Sequence, residues 1–237
     1  VNTRALLAIP IYNEAERLAE LLDRFPRTKD YDIVFVDDGS TDRTPDILTQ
    51  FDAQIIRHEA NRGVGASIRD AIDFARRNNF EFLVIMAGNG KMDPNEVPRL
   101  LEPLERGEAD YVQGSRNLPG GNSPNLPVMR RLAIYLLTAI SNGLLHIKGT
   151  DVTCGFRAYR LDIFNDSAIN LQQSWLDAYE LEYYLHFKVI KKGSRVTEVP
   201  VSMTYPVDGK RYSKIRPFSG WWSILRPWLY LTLKIKS

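Results

Sequence analysis

Short apolar runs alternate with helix-period segments through the first 115 residues, and this alternation limits the fold more than any other feature. The runs are "ALLAIPIY", "DIVFVDD", "AQIIRH", "FLVIMAG" and "DYVQGSR", and helices are predicted from Glu14, near Pro45, from Val64 and from Pro94. Strands that alternate with helices argue for an α/β, Rossmann-like domain whose central sheet is mostly parallel and covered on both faces. In such sheets the loops at the carboxyl ends of the strands form the ligand crevice. The tips "PIYNE", "VDDGS", "AGNGK" and "GSR" are therefore expected to lie near one another.

Helix signals support the register. Asn13 with Glu16 three residues on predicts a capping box, and Asp93-Pro94-Asn95-Glu96 places a cap, a first-turn proline and an acid in the right order. Asp93 is thus read as a cap and not as a ligand. The second half is less regular. "RNLPGGNSPNLP", residues 116–127, reads as a long mobile loop beside the crevice, either a lid or a plain surface loop. An apolar helix to about Ile147, a short "GFRAYR" strand, a helix over 177–192 and a strand in "RVTEVPVSMTYP" follow.

Composition narrows the function. A formal charge of +2 does not call for nucleic acid as a partner, although residues 208–237 carry seven Lys or Arg against one Asp. The single Cys154 excludes an internal disulfide framework and a cysteine metal cluster, which suits a reducing compartment. "VNTRALLAIP" runs directly into a strand pattern without the parts of a signal peptide, so a cytoplasmic location is expected. The apolar stretch from Leu132 to Ile147 is shorter than a spanning helix and contains Ser141, Asn142 and His146, so no transmembrane segment is expected.

Asp37 and Asp38 end a buried strand, and Gly39, Ser40, Thr41 and Asp42 follow in a turn. Such a pair suits hydrogen bonds to a base edge or a ribose, or a cation; the alternative is that Asp38 and Ser40 only stabilise the turn. Tyr12 offers a stacking face beside them.

Taken together, "IPIYNEAERL", "VDDGSTDRT", "NRGVGASIRDAI", a strand ending before "DP", then "GSR", "GFRAYR" and "EVPV" resemble family 2 inverting glycosyltransferases of the GT-A fold. The similarity covers about residues 4 to 205 and is closest to the polyprenyl-phosphate sugar transferases, of which dolichol-phosphate mannose synthase is the best known. The resemblance implies a base and ribose pocket from Pro10, Tyr12, Glu14, Asp37 and Asp38, with Asn61, Arg62 and Gly63 shaping the loop over the nucleotide.

One tip departs from the family. An Asp-x-Asp motif that holds Mg²⁺ or Mn²⁺ is expected there, and this chain has Ala87, Gly88 and Asn89. Hard cations prefer carboxylate oxygens, so Asn89 is left as a weak metal ligand and metal dependence is predicted to be reduced or lost. Lys91 offers a fixed ammonium for a diphosphate leaving group, and Gly88 and Gly90 let backbone N–H groups come close; the alternative is a glycine turn with a solvated lysine.

Arg116, Arg130, Arg131 and Arg157 are the expected phosphate contacts, and the resemblance adds Arg211, Ser213 and Lys214 from a basic loop. Asp151, Asp177, Glu180 and Glu182 are the candidate bases, although a lipid phosphate acceptor is already anionic and needs little base; acids early in a helix also suit its dipole. The tail from 206 to 237 places Trp221, Trp222 and Trp228 among basic residues, which suits either an anionic membrane surface or a helix packed on the domain. The expected protein is a GT-A domain over 1–205 with an amphipathic tail over 206–237. It transfers sugar from a UDP- or GDP-linked donor to a lipid phosphate, peripherally on the cytoplasmic membrane face. The alternative is a nucleotide-sugar binding protein or partner subunit with little or no transfer activity.

Overall fold

The computed structural model describes residues 4–206 and 219–236. Seven strands, β1 (Ala5–Ile11), β2 (Asp32–Asp37), β3 (Gln54–Arg57), β4 (Phe82–Ile85), β5 (Tyr111–Ser115), β6 (Arg157–Arg160) and β7 (Val196–Pro200), form one sheet in the order β3-β2-β1-β4-β6-β5-β7. All neighbours are parallel except β6, which runs antiparallel to β4 and β5. The α/β expectation is met. All seven residues of β1 are buried, because a strand covered on both sides has no solvent face to keep polar.

The pleat divides β1 between two cores. Leu6 and Ala8 join Val34, Val36, Ile68 and Ile72 on one face, and Leu7 and Ile9 join Phe35, Leu18, Leu21 and Leu100 on the other. The helices α1 (Ala15–Asp23), α2 (Thr44–Leu48) and α4 (Val97–Glu105) cover the second face. The first is covered by α3 (Val64–Arg77), α6 (Glu180–Lys191) and α7 (Ser219–Thr232), while α5 (Val128–Leu145) reaches both cores through Leu137 and Ile134.

Strand order reverses between β1 and β4, so their carboxyl ends open a crevice at this switch point. The tips are stitched there: Gly88 N–H donates to Pro10 O at 3.0 Å, and Asp38 N–H donates to Ile11 O at 2.9 Å. Glycines are required where α3 begins. A Cβ on Gly63, which has φ +100°, or on Gly65 would collide with the carbonyl oxygens of Asp177 and Leu176.

Several local expectations change. Asn13 and Glu16 form no capping box. Asn13 has φ +48°, and its Oδ1 instead accepts from Thr41 N–H at 2.8 Å, while α1 begins on acceptors supplied by Asp42 and Thr44. The tertiary neighbour displaces the local cap. Asp93 is a cap as expected and accepts from Asn95 N–H at 3.0 Å. Residues 116–127 are pinned: Asn122 exchanges backbone hydrogen bonds with Val201 and Met203, Tyr205 N–H donates to Pro124 O, and Leu126 is buried. The 18-residue α5 is long and apolar enough to cross a membrane by length and composition, because it starts at Val128 rather than Leu132.

Candidate active site

The β2 tip is a loop anchor. Asp38 accepts from His58 Nδ1 at 2.7 Å, from Arg62 N–H at 2.8 Å and from Gly63 N–H at 2.8 Å, so its carboxylate holds the loop between β3 and α3. His58 Nε2 reaches Asp70 at 2.9 Å and ties that loop to α3. Asn61 is exposed and donates to Asp38 O at 3.4 Å. Asp37 is fully buried; its Oδ1 accepts from Ser40 N–H at 2.9 Å, and its Oδ2 lies 3.5 Å from Arg57 Nε. The turn-stabilising role weighed for Asp38 and Ser40 falls instead on Asp37, which accepts from Ser40 N–H, while Asp38 anchors the β3–α3 loop.

At the β1 tip, Pro10 is buried and Tyr12 is half-buried. Glu14 is buried and paired with Arg17 at 2.8 Å. The β4 tip follows directly across the crevice. Asn89 Oδ1 accepts from Lys91 N–H at 3.2 Å, and Arg24 Nη2 donates to Gly90 O at 2.7 Å and Met92 O at 3.1 Å. The segment after β7 crosses over this tip, with Thr204 N–H donating to Lys91 O at 2.9 Å.

Lys91 is not the solvated side chain that a glycine turn alone would give. It is 6% exposed, and burial pushes its pKa down to about 8, with Arg130 adding to the shift and Glu14 opposing it. Its Nζ lies 5.5 Å from the Tyr205 ring centroid, and Arg130 Cζ lies 5.4 Å from the same ring. Arg116 Nη1 donates to Tyr205 Oη at 2.6 Å, so three cations gather about one aromatic ring.

Two of the expected phosphate ligands are occupied elsewhere. Arg116 makes a two-pronged pair with Asp151 and also donates to Thr153 Oγ1 at 2.6 Å. Arg157 is buried and donates to three backbone carbonyls, those of Val152, Cys154 and Glu182. Among the candidate bases, Asp151 is spent on Arg116, Asp177 on Arg69, and the buried Glu180 on Arg226 of α7 at 2.5 Å. Glu182 has no ion pair among the described residues. Burial raises its carboxyl pKa, and its Oε1 sits 3.0 Å from where a Cβ on Gly155 would be.

Arg131 is exposed near the start of α5, and Arg211, Ser213 and Lys214 lie outside the described residues. Sequence reading missed His58, Arg24, Tyr205 and Glu198. Glu198 accepts from Thr150 N–H at 2.9 Å and Asp151 N–H at 3.2 Å, and so aims the residue that pairs Arg116. The "IIRH" run and the acid inside "TEVPV" were the available signals.

The described β4 tip shows no clear set of ligands for a divalent cation. Asn89 offers one amide oxygen already engaged by a backbone N–H, Asp93 caps its own turn, and Lys91 brings like charge. Among the described residues no cluster of three or more His, Cys, Asp or Glu could hold a metal.

The tail helix has two faces. Ile224, Trp228 and Leu231 are buried, with Trp228 packed on Tyr183, His186 and Phe187, whereas Trp221, Trp222, Leu225 and Leu229 are exposed. Trp228 therefore belongs to the core and not to a membrane-facing set. A second exposed apolar face runs along α5 through Val128, Met129, Leu132, Tyr135, Leu136 and Ile140.

Comparison with known proteins agrees with this arrangement. The family model described as "Glycosyl transferase family 2" matches residues 7–167. An undecaprenyl-phosphate mannosyltransferase from Micrococcus luteus is 31% identical over 84% of this chain and 83% of its own length. A polyprenol monophosphomannose synthase from Mycolicibacterium smegmatis is 32% identical over 85% and 77%. A glucosyl-3-phosphoglycerate synthase from Mycobacterium tuberculosis, solved with Mn²⁺, UDP and glucosyl-3-phosphoglycerate, is 16% identical. It superposes over 99% of this chain and 81% of that one with a TM-score of 0.71, which shows the shared GT-A fold.

Proposed function

Because this chain belongs to glycosyl transferase family 2 and is a glycosyltransferase, we propose that it moves a sugar, with inversion, from a UDP- or GDP-linked donor to a polyprenyl phosphate. The observation that carries the reading is the convergence of the β1, β2 and β4 tips on one crevice with Lys91, Arg17 and Arg130 beside it. Two relatives, one named for undecaprenyl phosphate and one for polyprenol monophosphomannose, support the acceptor.

In this reading Pro10, Tyr12, Glu14 and Asp37 line the base and ribose pocket, and Asp38 acts through the loop of Asn61, Arg62 and Gly63. An acceptor phosphate oxygen attacks the anomeric carbon from the face opposite the leaving group and forms the new C–O bond. The bond from that carbon to the diphosphate breaks, and its electron pair leaves with the nucleoside diphosphate. The acceptor is already anionic, so no proton has to be removed, which agrees with a crevice whose acids are mostly paired. Residues 1–205 form the catalytic domain. The tail, 206–237, and the outer face of α5 meet the cytoplasmic membrane surface where such an acceptor resides.

The test is to offer the protein a panel of UDP- and GDP-sugars with undecaprenyl or dolichyl phosphate and to follow sugar into the organic phase. Sugar-phosphate lipid is the expected product. Donor binding without transfer to either lipid would favour the alternative, a nucleotide-sugar binding subunit.

A further inference from the structure

We propose that Lys91 occupies the place of a divalent cation in this crevice: its ammonium, with Arg130 and Arg17 beside it, holds the donor diphosphate, and donor binding needs no metal. The inference rests on the proposed nucleoside diphosphate sugar donor and says how its charge is met.

Three features of the β4 tip carry it. First, the ligand set is wrong for Mg²⁺ or Mn²⁺. The tip supplies one neutral amide, from Asn89, where a hard cation needs carboxylates, and that oxygen is already turned back onto Lys91 N–H.

Second, the backbone that carries the ammonium is held in place, and the side chain is buried. Arg24 fastens the carbonyls of Gly90 and Met92, Thr204 N–H fastens the carbonyl of Lys91, and Met92 pairs with Met203 in an isolated antiparallel bridge. A charge fixed before the reaction stabilises developing negative charge without the reorganisation that a flexible surface lysine would need.

Third, cationic side chains cluster at this tip. Arg130, Arg17 and Arg116 all act on Lys91 here, with the Glu14 carboxylate opposing them. Burial, and after it Arg130, lowers the pKa of Lys91. A diphosphate carries several negative charges and suits such a cluster of cations. During transfer the same ammonium faces the phosphate oxygen that takes the electron pair of the broken anomeric C–O bond.

The experiment is calorimetric titration of the full chain with UDP and with GDP, in EDTA and in Mn²⁺. Wild type, Lys91→Met, Lys91→Arg and Asn89→Asp are compared, and thermal melting checks that each is folded. The nucleotide that binds should do so in EDTA within about threefold of its affinity in Mn²⁺, and Lys91→Met should weaken binding in EDTA by about tenfold or more. Lys91→Arg should retain most of the affinity, and Asn89→Asp should gain a dependence on Mn²⁺. Binding that appears only with Mn²⁺ overturns this inference and leaves the donor assignment standing. Equal affinity of wild type and folded Lys91→Met in EDTA also overturns it. No binding of either nucleotide in either buffer overturns the donor assignment together with the inference.

Discussion

Arg116 and Asp151 form a buried, two-pronged ion pair, with Nε to Oδ2 at 2.6 Å and Nη2 to Oδ1 at 2.8 Å and side chains 2% and 0% exposed. The pair joins the end of β5 to the segment before β6 and places Arg116 Nη1 on Tyr205. Removing one partner leaves the other charge buried alone. Asp151→Asn and Arg116→Met should each lose about 3 to 5 kcal/mol of stability by chemical denaturation. The double variant should lose less than the sum, which a double-mutant cycle reads directly. Stability unchanged in Asp151→Asn, with transfer lost, would instead return Asp151 to the role of base.

Asp38 should act on the donor through its loop. It accepts from His58, Arg62 N–H and Gly63 N–H, so Asp38→Ala leaves buried donors without an acceptor. We expect a loss of about 2 to 4 kcal/mol in stability together with weaker nucleotide binding. His58→Ala should weaken nucleotide binding in the same direction, because His58 links Asp38 to Asp70. Full stability with lost binding in Asp38→Ala would point to direct donor contact.

Lys91 sets a pH dependence whose sign follows from its environment. Its pKa falls from 10.5 to about 8 in the folded protein, so its ammonium is intact below pH 8 and is lost as the pH rises past that value. Nucleotide affinity measured in EDTA should therefore fall between pH 7.5 and about 9.5, and in Lys91→Arg it should stay nearly flat over that range. The effect on stability has the opposite sense. Between pH 8 and 10.5 the unfolded chain binds more protons, so this residue's contribution to stability rises with pH in that window.

The two faces of α7 separate membrane contact from folding. Trp228→Ala removes a ring buried against Tyr183, His186 and Phe187 and should cost about 3 to 5 kcal/mol. Trp221→Ser with Trp222→Ser should leave the melting temperature nearly unchanged while reducing sedimentation with anionic liposomes, more so at high salt, where the electrostatic attraction is screened. Liposome binding that persists in this double variant would assign the membrane contact to the outer face of α5 alone.

What was legible in the sequence follows local physics. The continuous apolar runs of β1 and β4 and the Asp93 cap depend on neighbours in the chain, and they read correctly. Most of the departures involve distant partners. Asn13 gave up a local cap for Thr41, Glu180 met Arg226 across 46 positions of sequence, and the 116–127 loop was pinned by residues 201–205. Lys91 shows the same division. Its charge was readable from "AGNGK", but its burial under Tyr205 depends on a segment more than 100 residues away.

The most direct test of the crevice is a crystal structure of the full chain grown with UDP or GDP in the presence of EDTA. The nucleotide should lie at the carboxyl ends of β1, β2 and β4, with its ribose near Asp37 and a diphosphate oxygen within hydrogen-bond distance of Lys91 Nζ. A nucleotide seated elsewhere, or one whose diphosphate turns away from Lys91 and orders only when Mn²⁺ is added at Asn89, would contradict it.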